Sequence, residues 1–331
     1  MKSVLGKNIL HKGYAVGTLQ IGAQHFTIMF DTAGFSRWLV STASPAGCYK
    51  RKLRYDINSA TRISLGRTHA SGYLDGIQRG NLVTDNLVLG DCVIPGFLFA
   101  EILESTCRVM AGEYFDGIFG MRRSLPGAER SSFPESFIDY AARYGVARER
   151  LFTFRLCGQT GIRGLSWFEQ GELTLGRIKS EYHQGPITYV AISGGRQWHI
   201  IINKMEYGGQ ILCELCTAVV DTGAPTTIVP LGKVQLLLQN PELKDNQQGV
   251  LYVEPQDVPL VKDFKITFGQ RVFTIPPKEM LLSKPTYSVY GLGYIVNYQR
   301  LEWTVGLSIL RSFHTIFDDR LGQIGFSTVK C

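Results

Sequence analysis

No apolar run in the chain approaches the roughly 20 residues that a membrane-spanning helix needs, so a soluble protein with no membrane partner is expected. Charge is sparse, at 19% of 331 residues, and the net +7 comes from Lys and Arg scattered along the chain. The densest stretch, Lys50 to Arg54, reads as a solvated loop. Stacking aromatics do not stand among base-reading side chains, which argues against nucleic acid as a partner. The six histidines (His11, His25, His69, His183, His199 and His314) show neither metal-ligand spacing nor a Ser-His-Asp order, and are read as structural or surface residues. Gly194-Gly195 is not set between a strand and a helix as a phosphate cradle would be. No metal and no organic cofactor is therefore expected.

Seven cysteines are too few for a disulfide scaffold at this length. Cys213 and Cys216 are close enough for a small loop disulfide; as zinc ligands they would need a second Cys or His pair at matching spacing, and none follows. Cys92 and Cys107 are placed to pair across neighbouring strands. Cys48, Cys157 and Cys331 have no evident partner, and Cys157, at the end of an alternating strand pattern, is expected to be an inert buried thiol. After Met1 and Lys2 there is no apolar signal core and no small-residue cleavage site. A secreted protein trimmed to its mature end fits this, as does a cytoplasmic protein made without a signal, and the compartment stays open.

What is present is a packed, turn-rich composition: 44% hydrophobic and 11% aromatic residues, with Gly 36. Tyr14 to Ile21 alternates as a strand, and Phe26 to Phe30 runs straight into Asp31. Asn81 to Leu89, Ile187 to Ile192 and His199 to Ile202 have the same character, whereas helical patterns are confined to Pro134–Tyr144 and Leu231–Leu238. Many short strands over this length predict an all-β protein of two domains, expected to be monomeric.

A repeat relates the halves. Ile28-Met-Phe-Asp31-Thr32-Ala33-Gly34 recurs as Ala218-Val-Val-Asp221-Thr222-Gly223-Ala224. Each copy has a downstream apolar pair and glycine, Ile118-Phe119-Gly120 and, more loosely, Thr304-Val305-Gly306. Two lobes about a pseudo-twofold axis follow, 1–162 and 163–331, divided where Gly158, Gly161 and Gly164 break the pattern.

An aspartate ending a buried strand must be hydrogen-bonded, paired or neutralised. Two of them meeting at the axis would share a proton, because adjacent like charges cannot both ionise. The ionised one could then take a proton from water while its neutral partner hydrogen-bonds a carbonyl. Thr32 and Thr222 would hold the two loops across the axis.

These residues resemble the pepsin-like aspartic proteases over almost the whole chain. Phe30-Asp31-Thr32 with Trp38 resembles the first active-site segment, and Cys213-x-x-Cys216-Thr-Ala-Val-Val-Asp221-Thr222-Gly223-Ala224 the second. Phe115 to Gly120, Leu151 to Phe154, Gly171 to Gly176 and Trp303 to Asp318 sit where further family strands belong. The resemblance implies a bilobal fold with a cleft, Asp31 and Asp221 as catalytic pair, and Thr32, Thr222, Gly223 and Trp38 in support. It implies a flap hairpin with Tyr73, Asp75 and Gly76 near its tip, Ile118 beside the substrate, and a peptide in the cleft. Asp75 resembles fungal members that accept a basic residue before the cut bond, where its carboxylate would pair with a substrate Lys.

Departures from the family fall near the active site. The family's first segment reads Asp-Thr-Gly-Ser, whereas Ala33 and Gly34 stand here and a hydroxyl that bonds the carboxylate is gone. A hydrogen bond to a charge is worth about 1.5–3 kcal/mol, enough to retune a dyad. Phe35, Arg37, Leu74, Pro225 and Leu307 also depart from the pattern. The readings in order are an aspartic peptidase, a pepsin-fold enzyme turned to dehydration or cyclisation of a small molecule, and a silent binding protein. Trp38 and Trp303 are expected to pack core and cleft wall, and Asp85, Asp91, Asp116 and Asp318 to form turns.

Overall fold

The structure, a computed structural model, describes residues 8–11, 14–45, 49, 52–73, 76–106, 115–124, 131–157, 169–284, 286–296 and 301–331. It is all-β and two-lobed, and the helices among the described residues are short. One sheet has 13 strands and a second has 10. Among the described residues no helix is long and apolar enough to cross a membrane.

The repeat seen in the sequence has a structural counterpart in strand pairing. In the first half, Gln24–Asp31 runs parallel to Gly117–Gly120, in the register Phe30 to Phe119 and Asp31 to Gly120. Arg37–Val40 then pairs antiparallel with the other edge of Gly117–Gly120. In the second half, Gln210–Val220 runs parallel to Trp303–Val305, and Thr227–Ile228 pairs antiparallel with that strand. Both aspartates thus leave a central strand beside a parallel neighbour, and the chain returns on that neighbour's far side. The glycines that close the two neighbours have a steric reason. A Cβ on Gly120 would lie 2.4 Å from the carbonyl oxygen of Gly34, and one on Gly306 would lie 2.2 Å from that of Thr226. Only a residue without Cβ lets the loops pass so closely.

Strands from the two halves also interleave. Leu151–Cys157 lies between Glu169–Leu175 and Phe313–Asp318, pairing antiparallel with both. Phe152 stacks on Phe317 at 4.9 Å, and Trp198 packs edge-on against Phe317 at 5.0 Å. Fully burying one such ring is worth about 1.5–3 kcal/mol. The boundary expected between 162 and 163 lies outside the described residues.

Helices form at Phe137–Arg143 and Leu231–Leu237, inside the two segments read as helical. The first is started by a capping box, in which the Ser136 hydroxyl accepts from the Asp139 amide and the Asp139 carboxylate accepts from the Ser136 amide.

Some expectations are corrected. Cys157 is not a free thiol: it forms a disulfide with Cys331. Its partner is 174 positions away in sequence, and strand pairing brings the two Cα atoms to 5.7 Å. Cys213 and Cys216 are disulfide-bonded. Cys92 is a free thiol; Cys107 and Cys48 lie outside the described residues. Asp85 is no turn former. It is fully buried within the strand Gly76–Leu89, where it accepts from the Tyr55 hydroxyl at 2.5 Å, the Asn86 amide at 2.7 Å and the Thr61 hydroxyl. Burial pushes its carboxyl up, but hydrogen bonds from Thr61, Tyr55, Ser59 and Asn86 outweigh it and hold the group below the usual range. Asp116 likewise ties separate segments together, accepting from the Thr27 and Leu53 amides at 2.8 Å each. Asp318 does shape a turn, through the Leu321 amide. Arg37 faces the core of the first half: its guanidinium lies 4.9–5.4 Å from the ring centres of Phe133, Phe97 and Tyr140, and it donates to the carbonyls of Leu98 and Glu135. Burial lowers its pKa to about 10.

Candidate active site

Each copy of the repeat delivers its aspartate to the same place. Asp31 and Asp221 both sit where an apolar strand gives way to a tight loop, and their side chains are hydrogen-bonded to one another. Both keep part of their surface open. The loops are tied by reciprocal bonds. The Thr32 amide donates to the Thr222 hydroxyl at 3.1 Å, and the Thr222 amide donates to the Thr32 hydroxyl at 3.0 Å. Each hydroxyl then donates onward to the opposite strand, Thr32 to the Val220 carbonyl at 2.8 Å and Thr222 to the Phe30 carbonyl at 2.7 Å. Both threonines are fully buried, so every polar atom in this lattice needs its partner.

Within the first loop, Asp31 Oδ1 accepts from the amides of Ala33 at 2.9 Å and Gly34 at 2.8 Å. Asp221 Oδ1 accepts from the Gly223 amide at 2.7 Å. Gly223 is required by proximity, since a Cβ there would stand 2.7 Å from Asp31 Cγ. Gly34 has a similar constraint: its missing Cβ would fall 2.5 Å from Asp31 Oδ2. The carboxylate itself fills the space that a side chain at 34 would use.

Burial raises the pKa of Asp31 above the ordinary carboxylate range. The Gly34 and Ala33 amides, the positive charge of Arg122 and the hydrogen bond with Asp221 oppose that rise. Adjacent like charges resist ionising together, so two carboxyl groups in this arrangement can share one proton, one serving as base and the other as acid.

Other expected site residues fall as follows. Trp38 is fully buried in Arg37–Val40, 6.1 Å from the Tyr49 ring. Ile118 is fully enclosed in the core, paired with Met29 on one side and Trp38 on the other. Tyr73 ends the strand Ile63–Tyr73 and pairs with Gly76, the first residue of Gly76–Leu89. Leu74 and Asp75, which would form the tip, lie outside the described residues. Phe35 is 37% exposed and packs edge-on against His69 and Phe133, while Ser36 shares a hydrogen bond with His69 at 2.9 Å. Among the described residues no cluster of His, Cys, Asp and Glu is arranged to hold a metal ion.

The residue that sequence reasoning passed over is Arg122. It follows Gly120 by two positions, and the parallel register of Asp31 with Gly120 places it against the Ala33–Gly34 loop. Its Nε donates to the Ala33 carbonyl, and its guanidinium lies 5.5 Å from the Phe35 ring centre. A basic residue just past an apolar strand that neighbours the aspartate strand was the available signal.

With this geometry, likeness to known proteins becomes informative. The family model described as eukaryotic aspartyl protease matches residues 14–329. Renin of Canis lupus familiaris is 27% identical over 328 residues, covering 95% of this chain and 79% of the renin. Pepsin-2B of Gadus morhua is 24% identical over 317 residues, 94% of each chain. Cathepsin D of Clupea harengus is 26% identical over 340 residues, covering 97% of this chain and 82% of the cathepsin. A family match that takes in both bonded aspartates, both crossed threonines and the strands behind them makes this chain a member of the eukaryotic aspartyl protease family.

Proposed function

We propose that the protein is an aspartic peptidase in which Asp31 and Asp221 hydrolyse peptide bonds by activating water between them. The observation that carries this reading is the meeting of the two carboxyl groups, one from each copy of the repeated motif: they are bonded to one another, and a Cβ on Gly223 would lie 2.8 Å from Asp31 Oδ1 and 3.1 Å from Asp221 Oδ1. The ionised member takes a proton from water as its oxygen attacks the carbonyl carbon, and the neutral member gives its proton to the carbonyl oxygen. Breakdown of the resulting diol splits the C–N bond, with a proton passing to the leaving amine. Thr32, Thr222 and Gly223 hold the pair, and the hairpin around Tyr73, Asp75 and Gly76 closes over a peptide lying between lobes 1–162 and 163–331. In this reading Asp75 pairs with a Lys preceding the cut bond.

A second reading, acid–base chemistry such as dehydration or cyclisation on a small molecule, draws on the first loop. Ala33 and Gly34 leave Asp31 with backbone amides where the family pattern supplies a hydroxyl. One experiment separates the two: incubation of the protein with an unfolded polypeptide across acidic pH, with and without pepstatin. Peptide reading requires pepstatin-sensitive fragmentation that disappears in Asp31→Asn and in Asp221→Asn. An intact polypeptide at every pH would overturn it.

A further inference from the structure

The peptide unit joining Ala33 to Gly34 is held at both ends. Its N–H, from Gly34, donates to Asp31 Oδ1 at 2.8 Å, and its carbonyl, from Ala33, accepts from Arg122 Nε. Because a peptide bond is planar, fixing the carbonyl direction fixes the N–H direction. Hydrogen bonds in such a chain also polarise one another, strengthening the donor that faces the carboxylate. The next peptide is restrained as well, since the Arg122 amide donates to the Gly34 carbonyl at 3.2 Å.

The guanidinium is itself positioned from the side. It lies over the exposed Phe35 ring at 5.5 Å, and Phe35 is braced by His69 and Phe133. The charged groups acting on Arg122 are Asp31 and Asp221, which attract it, and Arg196, which repels it. Arg196 donates to the Phe133 carbonyl at 2.9 Å and to the Arg123 carbonyl at 3.4 Å. Arg123, the next residue, turns to Asp319 at 2.7 Å and takes no part. Arg122 thus both touches the Asp31 loop and acts on the two aspartates.

We propose that Arg122 is a positioning residue for Asp31, orienting the Gly34 N–H through the shared peptide and setting the pH range in which the carboxyl pair works. The proposal rests on the peptidase reading for its kinetic test but not for its titration test. A nearby positive charge favours ionised carboxylates, so both ionisations of the pair occur at lower pH with Arg122 than without it. Its planar Nε donor adds an orienting role that a lysine ammonium does not reproduce.

The test compares the native protein with Arg122→Met, Arg122→Gln and Arg122→Lys. In the neutral variants, both limbs of the kcat/KM pH profile are expected to move up by about one unit. In Arg122→Lys the limbs stay near their native positions while kcat falls about tenfold, a consequence of lost orientation. The same shift is read without turnover by 13C NMR of carboxyl-labelled aspartate, using the resonances lost in Asp31→Asn to mark the pair. Native protein that cleaves no peptide at any pH sinks the peptidase reading, and the NMR titration still decides the role of Arg122. Titration curves of Arg122→Met and Arg122→Gln that overlay the native curve would overturn it. Lowered thermal stability with unmoved limbs would do the same, by reducing Arg122 to a structural residue.

Discussion

Thr32 and Thr222 satisfy one another: each amide donates to the other's hydroxyl, and each hydroxyl donates to the strand carrying the other's aspartate. Replacing Thr222 by Val keeps the shape but takes the hydroxyl partner from the buried Thr32 amide and from the Phe30 carbonyl. A buried orphan costs roughly 1–3 kcal/mol, so Thr222→Val should lose about 3 kcal/mol. Thr222→Ser retains the hydroxyl and should lose under about 1 kcal/mol. Urea unfolding of the three proteins checks this, and equal midpoints for Val and Ser would refute the lattice.

The loop after Asp31 invites an apparent repair, Gly34→Ser, which restores the hydroxyl of the family pattern. The geometry predicts harm. The serine Cβ would sit 2.5 Å from Asp31 Oδ2, so the carboxylate must swing away from its place beside Asp221. Misplacement of a reacting group by about 1 Å can cost on the order of a hundredfold, and kcat/KM should drop by at least about tenfold. A gain in activity would show that the loop relaxes freely.

Much of this was legible in the sequence, and the reason is local. An apolar strand that runs straight into Asp31 and a second copy ending at Asp221 need only a short window to be seen. Their parallel partners were marked by glycines, Gly120 and Gly306, because close passage of two loops demands that residue. What stayed hidden depends on register between distant segments. Arg122 reaches the Ala33 carbonyl only because Asp31 lies opposite Gly120. Asp85 looks like a turn residue until Tyr55 and Thr61 arrive from another part of the chain. Cys157 meets Cys331 only once Leu151–Cys157 has paired with Phe313–Asp318.

That disulfide makes a separate prediction. It closes a loop spanning 174 positions, and in the chain-entropy picture a loop of even 100 residues is worth about 4.7 kcal/mol. Cys331→Ser should therefore be destabilised by roughly 3–5 kcal/mol. Peptide mapping of the unreduced protein should recover Cys157 joined to Cys331 and Cys213 joined to Cys216, with Cys92 open to alkylation in the unfolded chain. Recovery of alkylated Cys157 from unreduced protein would contradict the pairing.

Acid stability should depend in part on His314, which is fully buried in Phe313–Asp318. Its ring stacks on His183 at 5.4 Å, their Nδ1 atoms 3.3 Å apart, and the Tyr182 ring lies edge-on. Burial lowers its pKa from 6.5 to about 4, helped by His183, Arg155 and Lys179 and opposed by Glu172. The folded state therefore refuses a proton that the unfolded chain accepts between pH 6.5 and about 4. Stability is present in full above pH 6.5 and drains away as pH falls through that window, by about 3 kcal/mol in all. Below about pH 4 both states are protonated at this site and the loss stops. In His314→Phe, which keeps a ring for the stack, unfolding free energy should fall less steeply from pH 6.5 to 4 than in the native protein. Chemical denaturation at intervals of half a pH unit measures both slopes. Parallel slopes would mean that the acid sensitivity of the fold resides elsewhere.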